Sequence, residues 1–255
     1  NLFAGTCAGG AYDPSSGSAC FNIFLGSCAG KSITEGDNNN FLGRNAGCSN
    51  TTGNNNVFLG ANVGIANTTG SCNNMIGVGA GMCATVTGCH NNFFGTYAGK
   101  CASGAGCYNN FIGFCAGLSN TTGSCNDFIG FQAGRCNESG CNNIFFGSCA
   151  GRCATITGLN NVYLGSGAGQ SATGAQNYNI ALGWLAGCDN EGSNNVFLGP
   201  AAGLNHSTGN KNTFIGDCAG KETGAGAAQN VYIGPSAGCQ NSGCCNIFLG
   251  SNAGI

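Results

Sequence analysis

Cysteine is the residue type in this chain that most directly offers chemistry. Twenty cysteines stand in 255 residues, beside only two histidines, His90 and His206. Structural zinc and iron–sulfur sites need repeated Cys-x-x-Cys pairs or mixed Cys/His sets, and this chain repeats neither, so metal binding is not expected. Thiols in this number favour disulfide bonds, which form in oxidising, extracellular settings.

The cysteines recur at a few places along the chain, which suggests how they could pair. Equivalent residues of successive stacked repeats lie about 4.8 Å apart, within the span of a disulfide. We therefore predict pairing between adjacent repeats, as in Cys83 with Cys101 and Cys136 with Cys153. Pairing across one loop, as in Cys83 with Cys89, has no statistical support, and packing as small buried thiols is the alternative. The candidate disulfide cysteines, which include the pair Cys7 and Cys28, are Cys7, Cys28, Cys72, Cys83, Cys89, Cys101, Cys107, Cys125, Cys136, Cys141 and Cys153.

No catalytic constellation emerges from the remaining polar residues. The nine acidic residues share no repeat position that would align paired carboxylates. Glycine-rich stretches such as 77–81 lack the strand-to-helix context and the Lys-Ser/Thr of a phosphate loop. We therefore expect neither an enzyme nor a cofactor. The net charge of −2 gives no electrostatic reason to expect nucleic acid, and no apolar run is long enough for a membrane helix.

One short repeat decides where each of these residues lies. A glycine that ends an apolar triplet, here called the register glycine, recurs fifteen times from Gly5 to Gly250, at intervals of 16 to 18 residues after a first interval of 21. An asparagine stands four residues before each register glycine and a second glycine four residues after it. With Φ for an apolar residue, the consensus is N-x-Φ-Φ-G-x-x-A-G, followed by a polar loop.

This period predicts an all-β fold, a parallel β-solenoid or β-roll of about fifteen coils of 16–18 residues, with two short strands per coil. Each repeat is too small to bury its own apolar face, so stacking must create the core. We expect one repeat domain over residues 1–255. Both ends fall within a repeat, without polar caps, which suggests a segment of a longer fibre or a filament subunit that stacks end to end.

The repeated asparagines predict a column of amides along the solenoid axis. An amide both donates and accepts hydrogen bonds, so stacked side chains can bond to one another. The alternative is that asparagine suits a turn with positive φ. This structural ladder comprises Asn22, Asn39, Asn56, Asn73, Asn91, Asn109, Asn126, Asn143, Asn161, Asn179, Asn195, Asn212, Asn230 and Asn246.

The apolar triplet predicts an interface with another chain. Adjacent strand residues point to opposite faces, so either the aromatic position or the Leu/Ile position beside it must face outward. A long exposed aromatic row would exceed the apolar patch that a monomer tolerates, which favours burial by a partner chain. A broad coil that buries both rows is the alternative. The predicted interface ladder is Phe24, Phe41, Phe58, Phe93, Phe111, Phe128, Phe145, Tyr163, Phe197, Phe214, Tyr232 and Phe248.

The loops carry two further patterns. Five of the seven basic residues directly follow their Ala-Gly and mark an outer corner of the coil, either as a solvated edge or as a receptor-binding stripe: Lys31, Lys100, Arg135, Arg152 and Lys221. Five sequons for N-linked glycosylation begin at Asn50, Asn67, Asn120, Asn137 and Asn205, although Asn-Thr-Thr-Gly is also ordinary turn chemistry.

Segments such as Asn161-Val-Tyr-Leu-Gly-Ser-Gly-Ala-Gly resemble the N-S-V-A-I-G-x-x-A-x-A-x-G repeats of trimeric autotransporter adhesin heads, and similar repeats in phage and viral tail fibres. The resemblance implies a left-handed β-roll, three chains side by side, and an adhesive or receptor-contacting fibre on a cell or virion surface. Two alternatives stay open: a self-assembling filament without a ligand, and an ice-binding solenoid. The second would use rows of threonine, and Thr85 with Thr87 and Thr155 with Thr157 are its only such pairs.

Overall fold

The computed structural model describes residues 1–15, 18–83, 87–104, 106–153, 157–172 and 174–255. The chain divides into two compact units, Asn1–Asn126 and Asp127–Ile255. Unit 1 contains seven strands: β1 Leu2–Ala4, β2 Ile23–Leu25, β3 Asn40–Leu42, β4 Val57–Leu59, β5 Asn74–Ile76, β6 Asn92–Phe94 and β7 Asn110–Ile112. Unit 2 contains eight: β8 Asp127–Ile129, β9 Ile144–Phe146, β10 Val162–Leu164, β11 Ile180–Leu182, β12 Val196–Leu198, β13 Thr213–Ile215, β14 Val231–Ile233 and β15 Ile247–Leu249.

Each unit is a parallel β-solenoid, which confirms the predicted fold class. Within each unit every strand pairs in parallel with the next strand of the chain, and equivalent residues of the repeat face each other, as Phe24 faces Phe41 and Tyr163 faces Ala181. The described residues contain no helix. Each coil has one strand of three residues where we expected two, and turns form the rest of its course.

Left-handed backbone conformations explain why the strands are so short. A non-glycine residue with positive φ stands directly before most of the ladder asparagines, such as Asn55 at 58°. The register glycine itself has a φ of 137° at Gly26, and the second glycine has 56° at Gly30. Because each of these residues bends the chain away from an extended path, only the three residues before the register glycine form a strand.

A column of aromatic rings fills the core of each unit. The central residue of each strand points inward, and nearly all of these side chains are fully buried. Successive rings stack face to face, with centroids 4.9 Å apart for Phe24 and Phe41 and 4.7 Å apart for Phe128 and Phe145. A column of alanines, such as Ala29 and Ala46, lies buried beside the rings. Small residues are needed there because the rings occupy most of the narrow interior.

The two glycines of the repeat are required by different close approaches. A Cβ atom on the register glycine Gly26 would lie 2.6 Å from the carbonyl carbon of Gly43 in the next coil. A Cβ atom on the second glycine, Gly30, would lie 2.5 Å from the Phe24 ring of its own coil. The first glycine therefore permits the coils to stack, and the second permits the ring to fold inward.

The coil of β11 departs from this pattern because Ala181 stands where the other strands carry a larger residue. The Phe197 ring of the next coil leans into the space, so that it would meet a Cβ atom on Gly187 at 2.6 Å. Its plane is tilted by 44° against Phe214, and the two centroids are 5.6 Å apart. The aromatic column thus adapts to a missing ring by tilting the neighbouring one.

Candidate functional site

The aromatic ladder is not an interface, and this prediction is wrong. The twelve predicted interface residues all lie at the central, inward position of their strands, and eleven of them are at most 1% exposed within their own chain. Phe248, the twelfth, is half-buried in the coil of β15. A ring fits inside the coil because glycine and alanine line the opposite wall, so the rings need no partner chain to cover them.

The outward face of each sheet instead carries the residues that flank the buried ring. In unit 2 this face is strongly apolar around β11. Leu182 lies between Leu164 and Leu198 in one row, and Ile180 lies between Val162 and Val196 in the other. Leu182 is 38% exposed and Ile180 39%. We call these six residues the outward patch.

Two exposed aromatic residues lie at the two ends of β11, beside the outward patch. Tyr178 precedes the strand by two residues and is 60% exposed, and Trp184 follows it by two residues and is 59% exposed. Tyr178 also holds a φ of 59°, which is costly for a bulky side chain. Exposed aromatic residues next to an aliphatic face are typical of protein interfaces.

Unit 1 has a more polar outward face. The outer row of its strands includes asparagines, and Asn92 bridges two of them: Asn74 donates to Asn92 at 2.9 Å, and Asn92 donates to Asn110 at 2.7 Å. The other outer row remains aliphatic or aromatic, as at Leu59 and Phe94. The two units therefore present outward faces of different polarity.

The repeated asparagines form the predicted ladder inside the coil. The Oδ1 atom of Asn39 accepts a hydrogen bond from the backbone N–H of Asn56 at 3.0 Å and from its Nδ2 at 3.1 Å. Asn56 Nδ2 also donates to the Gly70 carbonyl at 2.9 Å. The residues with positive φ lie one position earlier, as at Asn55, so the turn preference does not explain the ladder. The ladder asparagines from Asn22 to Asn230 are buried, and Asn246 is half-buried.

A second buried column of polar residues holds four of the five predicted glycosylation sites. Asn50, Asn67, Asn120 and Asn137 are at most 1% exposed. Each donates its Nδ2 to the carbonyl of the glycine three residues later, as Asn50 does to Gly53 at 3.0 Å. A glycan on Nδ2 would have to displace this packing, so the prediction of glycosylation at these four residues is wrong. The sequence does contain a signal for this burial, because each of the four asparagines stands seven residues after a register glycine, as a residue of a stacked column would.

The fifth sequon differs from these four. Asn205 is exposed, and its neighbour His206 occupies the buried column instead. The His206 Nδ1 atom lies 2.6 Å from Thr223 Oγ1, and its Nε2 atom lies 3.1 Å from the Gly209 carbonyl. Burial lowers the pKa of His206, and the contact with the Gly209 carbonyl opposes this shift. Glycosylation at Asn205 stays a prediction.

No disulfide bond joins the cysteines of the described residues. The stacking does place the two cysteines of four candidate pairs side by side in adjacent coils. We call two residues level when the backbone N–H of one donates to the carbonyl of the residue just before the other, or when the residues just after them are joined in this way. The Cys83 N–H donates to the Lys100 carbonyl at 2.7 Å, so Cys83 is level with Cys101. The Cys136 N–H donates to the Arg152 carbonyl at 3.3 Å, so Cys136 is level with Cys153. The other level pairs are Cys7 with Cys28 and Cys89 with Cys107, according to the same backbone hydrogen-bond pattern.

The remaining candidates stand beside other residue types. Cys72 is level with His90, because the His90 N–H donates to the Ser71 carbonyl at 3.1 Å. Cys125 is level with Tyr108, and Cys141 with Leu159. A cysteine's position within its loop therefore does not by itself predict its neighbour. When two cysteines of adjacent loops stand one residue apart in the repeat, each lies beside another residue type of the other loop.

Each of the five basic residues lies at the same corner of its own coil, at the position after the second glycine. Lys31 is exposed and the other four are half-buried. Lys100 Nζ lies 4.8 Å from the centre of the Tyr97 ring, and Arg152 Nη1 contacts Cys149 Sγ at 3.8 Å. These contacts hold the side chains along the coil surface.

The described part of the chain offers no site for a small molecule or a metal ion. It contains no pocket and no group of three His, Cys, Asp or Glu side chains that could hold a metal. It also contains no helix whose length and apolar character would allow it to cross a membrane. Of the threonines weighed for ice binding, Thr85 and Thr155 lie outside the described residues, and the outward rows consist mainly of aliphatic residues and asparagine.

The outward patch and the two aromatic residues beside it are the exposed apolar feature of the sheet in unit 2. A search of known protein families, of curated proteins and of solved structures finds no match to this chain.

Proposed function

We propose that this chain is a segment of an extracellular structural fibre whose copies associate side by side through the outward face of the sheet. The observation that carries the proposal is the outward patch around β11, where six aliphatic side chains of three adjacent strands are partly exposed together. Exposed apolar surface of this kind marks an interaction site.

A second copy of the same chain is the partner that fits this face best. The rows of the patch repeat with the spacing of the coils, about 4.8 Å, and another copy presents rows of the same spacing. Side chains of two such faces can therefore interdigitate without strain, as in packed sheets. The six residues of the patch carry no charge, which disfavours a partner recognised by ionic contacts.

The resemblance to adhesin heads and tail fibres supports an oligomer of three chains. It also supports adhesion or receptor contact as the function of the fibre. In this arrangement the outward sheet faces meet at the centre of the fibre, and the loops and basic corners face the surroundings. The twenty cysteines support an extracellular setting. A filament that assembles without a ligand uses the same face and differs only in what the loops contact.

The proposal is tested with Leu182→Arg, which places a charge in the middle of the Leu164–Leu182–Leu198 row. Gln240→Arg is the matched control, because Gln240 is exposed in a loop of the same unit, away from the sheet. Sedimentation equilibrium should give an oligomer for the native chain and the control, and a mass of 25.2 kDa for Leu182→Arg at the same concentration. An unchanged oligomer in Leu182→Arg would exclude this face as the interface.

A further inference from the structure

Two of the four level cysteine pairs contain a cysteine that directly follows a basic residue in the sequence, which the other two pairs do not. Cys83 and Cys153 are exposed, and their neighbours in the column, Cys101 and Cys136, are half-buried. Cys101, Cys136 and Cys153 directly follow the basic residues Lys100, Arg135 and Arg152, and Cys83 follows Met82 at the same position of its coil. Each pair thus combines one thiol that a large reagent can reach with one that it reaches less easily.

The thiols of each pair also interact with one another. Burial raises the pKa of Cys101, the neighbouring Cys83 thiol raises it further, and Lys100 lowers it. Burial raises the pKa of Cys136, which Arg135 lowers, Cys153 raises and Arg152 lowers. Burial is the largest of these effects, so the pKa of Cys101 and of Cys136 is raised, and the basic side chains offset this only in part. The thiolate is the attacking species in disulfide exchange, so we expect the reaction to be faster at alkaline pH.

The two other level pairs are arranged differently. The Cys107 Sγ atom accepts a hydrogen bond from the Cys89 backbone N–H at 3.2 Å, which turns it toward the backbone. Cys28 acts on Cys48 of the next coil, whose pKa is raised first by burial and then by Cys28, so Cys28 has a second cysteine neighbour besides Cys7. Cys7–Cys28 also joins an exposed thiol to a half-buried one, but Cys28 has two cysteine neighbours instead of one, and no cysteine of these two pairs follows a basic residue.

We propose that Cys83–Cys101 and Cys136–Cys153 are modification sites at which a small disulfide such as glutathione disulfide oxidises this solenoid, joining adjacent coils by a covalent bond. The exposed Cys83 thiolate attacks one sulfur of glutathione disulfide, forms a mixed disulfide and releases one glutathione thiolate. The Cys101 thiolate then attacks Cys83 Sγ, forms the Cys83–Cys101 bond and releases the second. The released thiolates take up the two protons that the cysteines lose, and glutathione disulfide accepts the two electrons. Cys153 and Cys136 react in the same order.

The sequence makes the products easy to identify. Trypsin cleaves after Lys100, between Cys83 and Cys101, and after Arg152, between Cys136 and Cys153. Each disulfide therefore joins two tryptic peptides that separate on reduction. The reduced full-length protein is incubated with glutathione disulfide, its remaining thiols are alkylated, and the digest is analysed by tandem mass spectrometry. Fragment ions assign the linked cysteines, which is needed because Cys89 and Cys107 lie on the same two tryptic peptides as Cys83 and Cys101.

We expect both linked peptide pairs from the native chain. Cys101→Ser should instead retain glutathione on Cys83, because the resolving thiol is gone, and Cys72→Ser should leave the Cys83–Cys101 link unchanged, since Cys72 is level with His90. Circular dichroism of each variant shows that it is folded. Native protein that keeps glutathione on Cys83, or that links Cys72 with Cys89 as readily as Cys83 with Cys101, would overturn the proposal. The peptides are read in the same way from a monomer or an oligomer, so this result is independent of the proposed assembly.

Discussion

At the scale of single residues, the buried asparagine four residues before each register glycine has the most demanding role. Its Oδ1 accepts from the next coil while its Nδ2 donates to a loop carbonyl, as Asn56 does toward Asn73 and Gly70. Aspartate lacks the donor and leucine lacks both groups. The amide thus satisfies backbone groups that would otherwise be buried without a partner.

Asn56→Leu tests this role. The change leaves the buried Asn73 N–H without its acceptor, and each such unpaired group costs about 1–3 kcal/mol. We expect the free energy of unfolding to fall by at least that amount, as measured by denaturation followed by circular dichroism. Asn55→Gly is the control, since Asn55 is exposed at a φ of 58° that glycine also adopts, and it should stay close to native stability. Equal losses in both variants would argue against the ladder.

His206 gives the second residue-scale prediction, a pH dependence. Burial lowers the pKa of His206 below its ordinary 6.5, so the unfolded chain binds the proton more tightly than the folded one. The stability of the native chain should therefore fall as pH drops below about 6.5.

His206→Asn provides the comparison for this prediction, because asparagine occupies the same column at Asn190. When the pH is lowered from 7.5 to 5.5, the thermal midpoint of the native chain should fall relative to that of His206→Asn. A difference that stays constant with pH would contradict the assignment of this titration to His206.

At the scale of the coil, the sequence predicted the repeat and the parallel stacking but misjudged which side of the strand faces inward. Alternation requires Phe24 and Leu25 to point to opposite faces, and it does not say which one is inside. The answer depends on the opposite wall, where Ala29 and Gly30 leave room for a ring. The sequons were misjudged for a similar reason, since Asn-Thr-Thr-Gly suits both an exposed turn and a buried column.

The register glycine gives a prediction at this scale. In Gly216→Ala, the new Cβ would lie 2.6 Å from the Gly234 carbonyl oxygen, at a φ of 134°. In Gly226→Ala, the φ of 83° is also strained, but no atom lies within 4 Å. Both variants carry backbone strain, and only the first also prevents close stacking of coils. We expect Gly216→Ala to lose much more of its cooperative thermal unfolding than Gly226→Ala, and similar losses would show that strain alone explains the glycine.

At the scale of the whole molecule, the partly exposed outward face of the sheet is the feature on which the proposed assembly depends. With the aromatic column inside, the rows formed by residues such as Leu182 and Ile180 are an apolar surface that remains partly exposed, and turn residues such as Phe131 are exposed as well. Side-by-side association stays a prediction. The sequence pattern assigned it to the aromatic row, which is buried within its own chain. The structure moves the proposed contact to the opposite face of the same strands.

The mass of the native particle in solution tests this account most directly, by light scattering with and without reductant. Association through aliphatic side chains does not depend on disulfides, so we predict a discrete oligomer, three times the 25.2 kDa chain, that survives reductant. A particle of 25.2 kDa at every concentration would contradict the account, because the outward patch would then be stable in water without a partner.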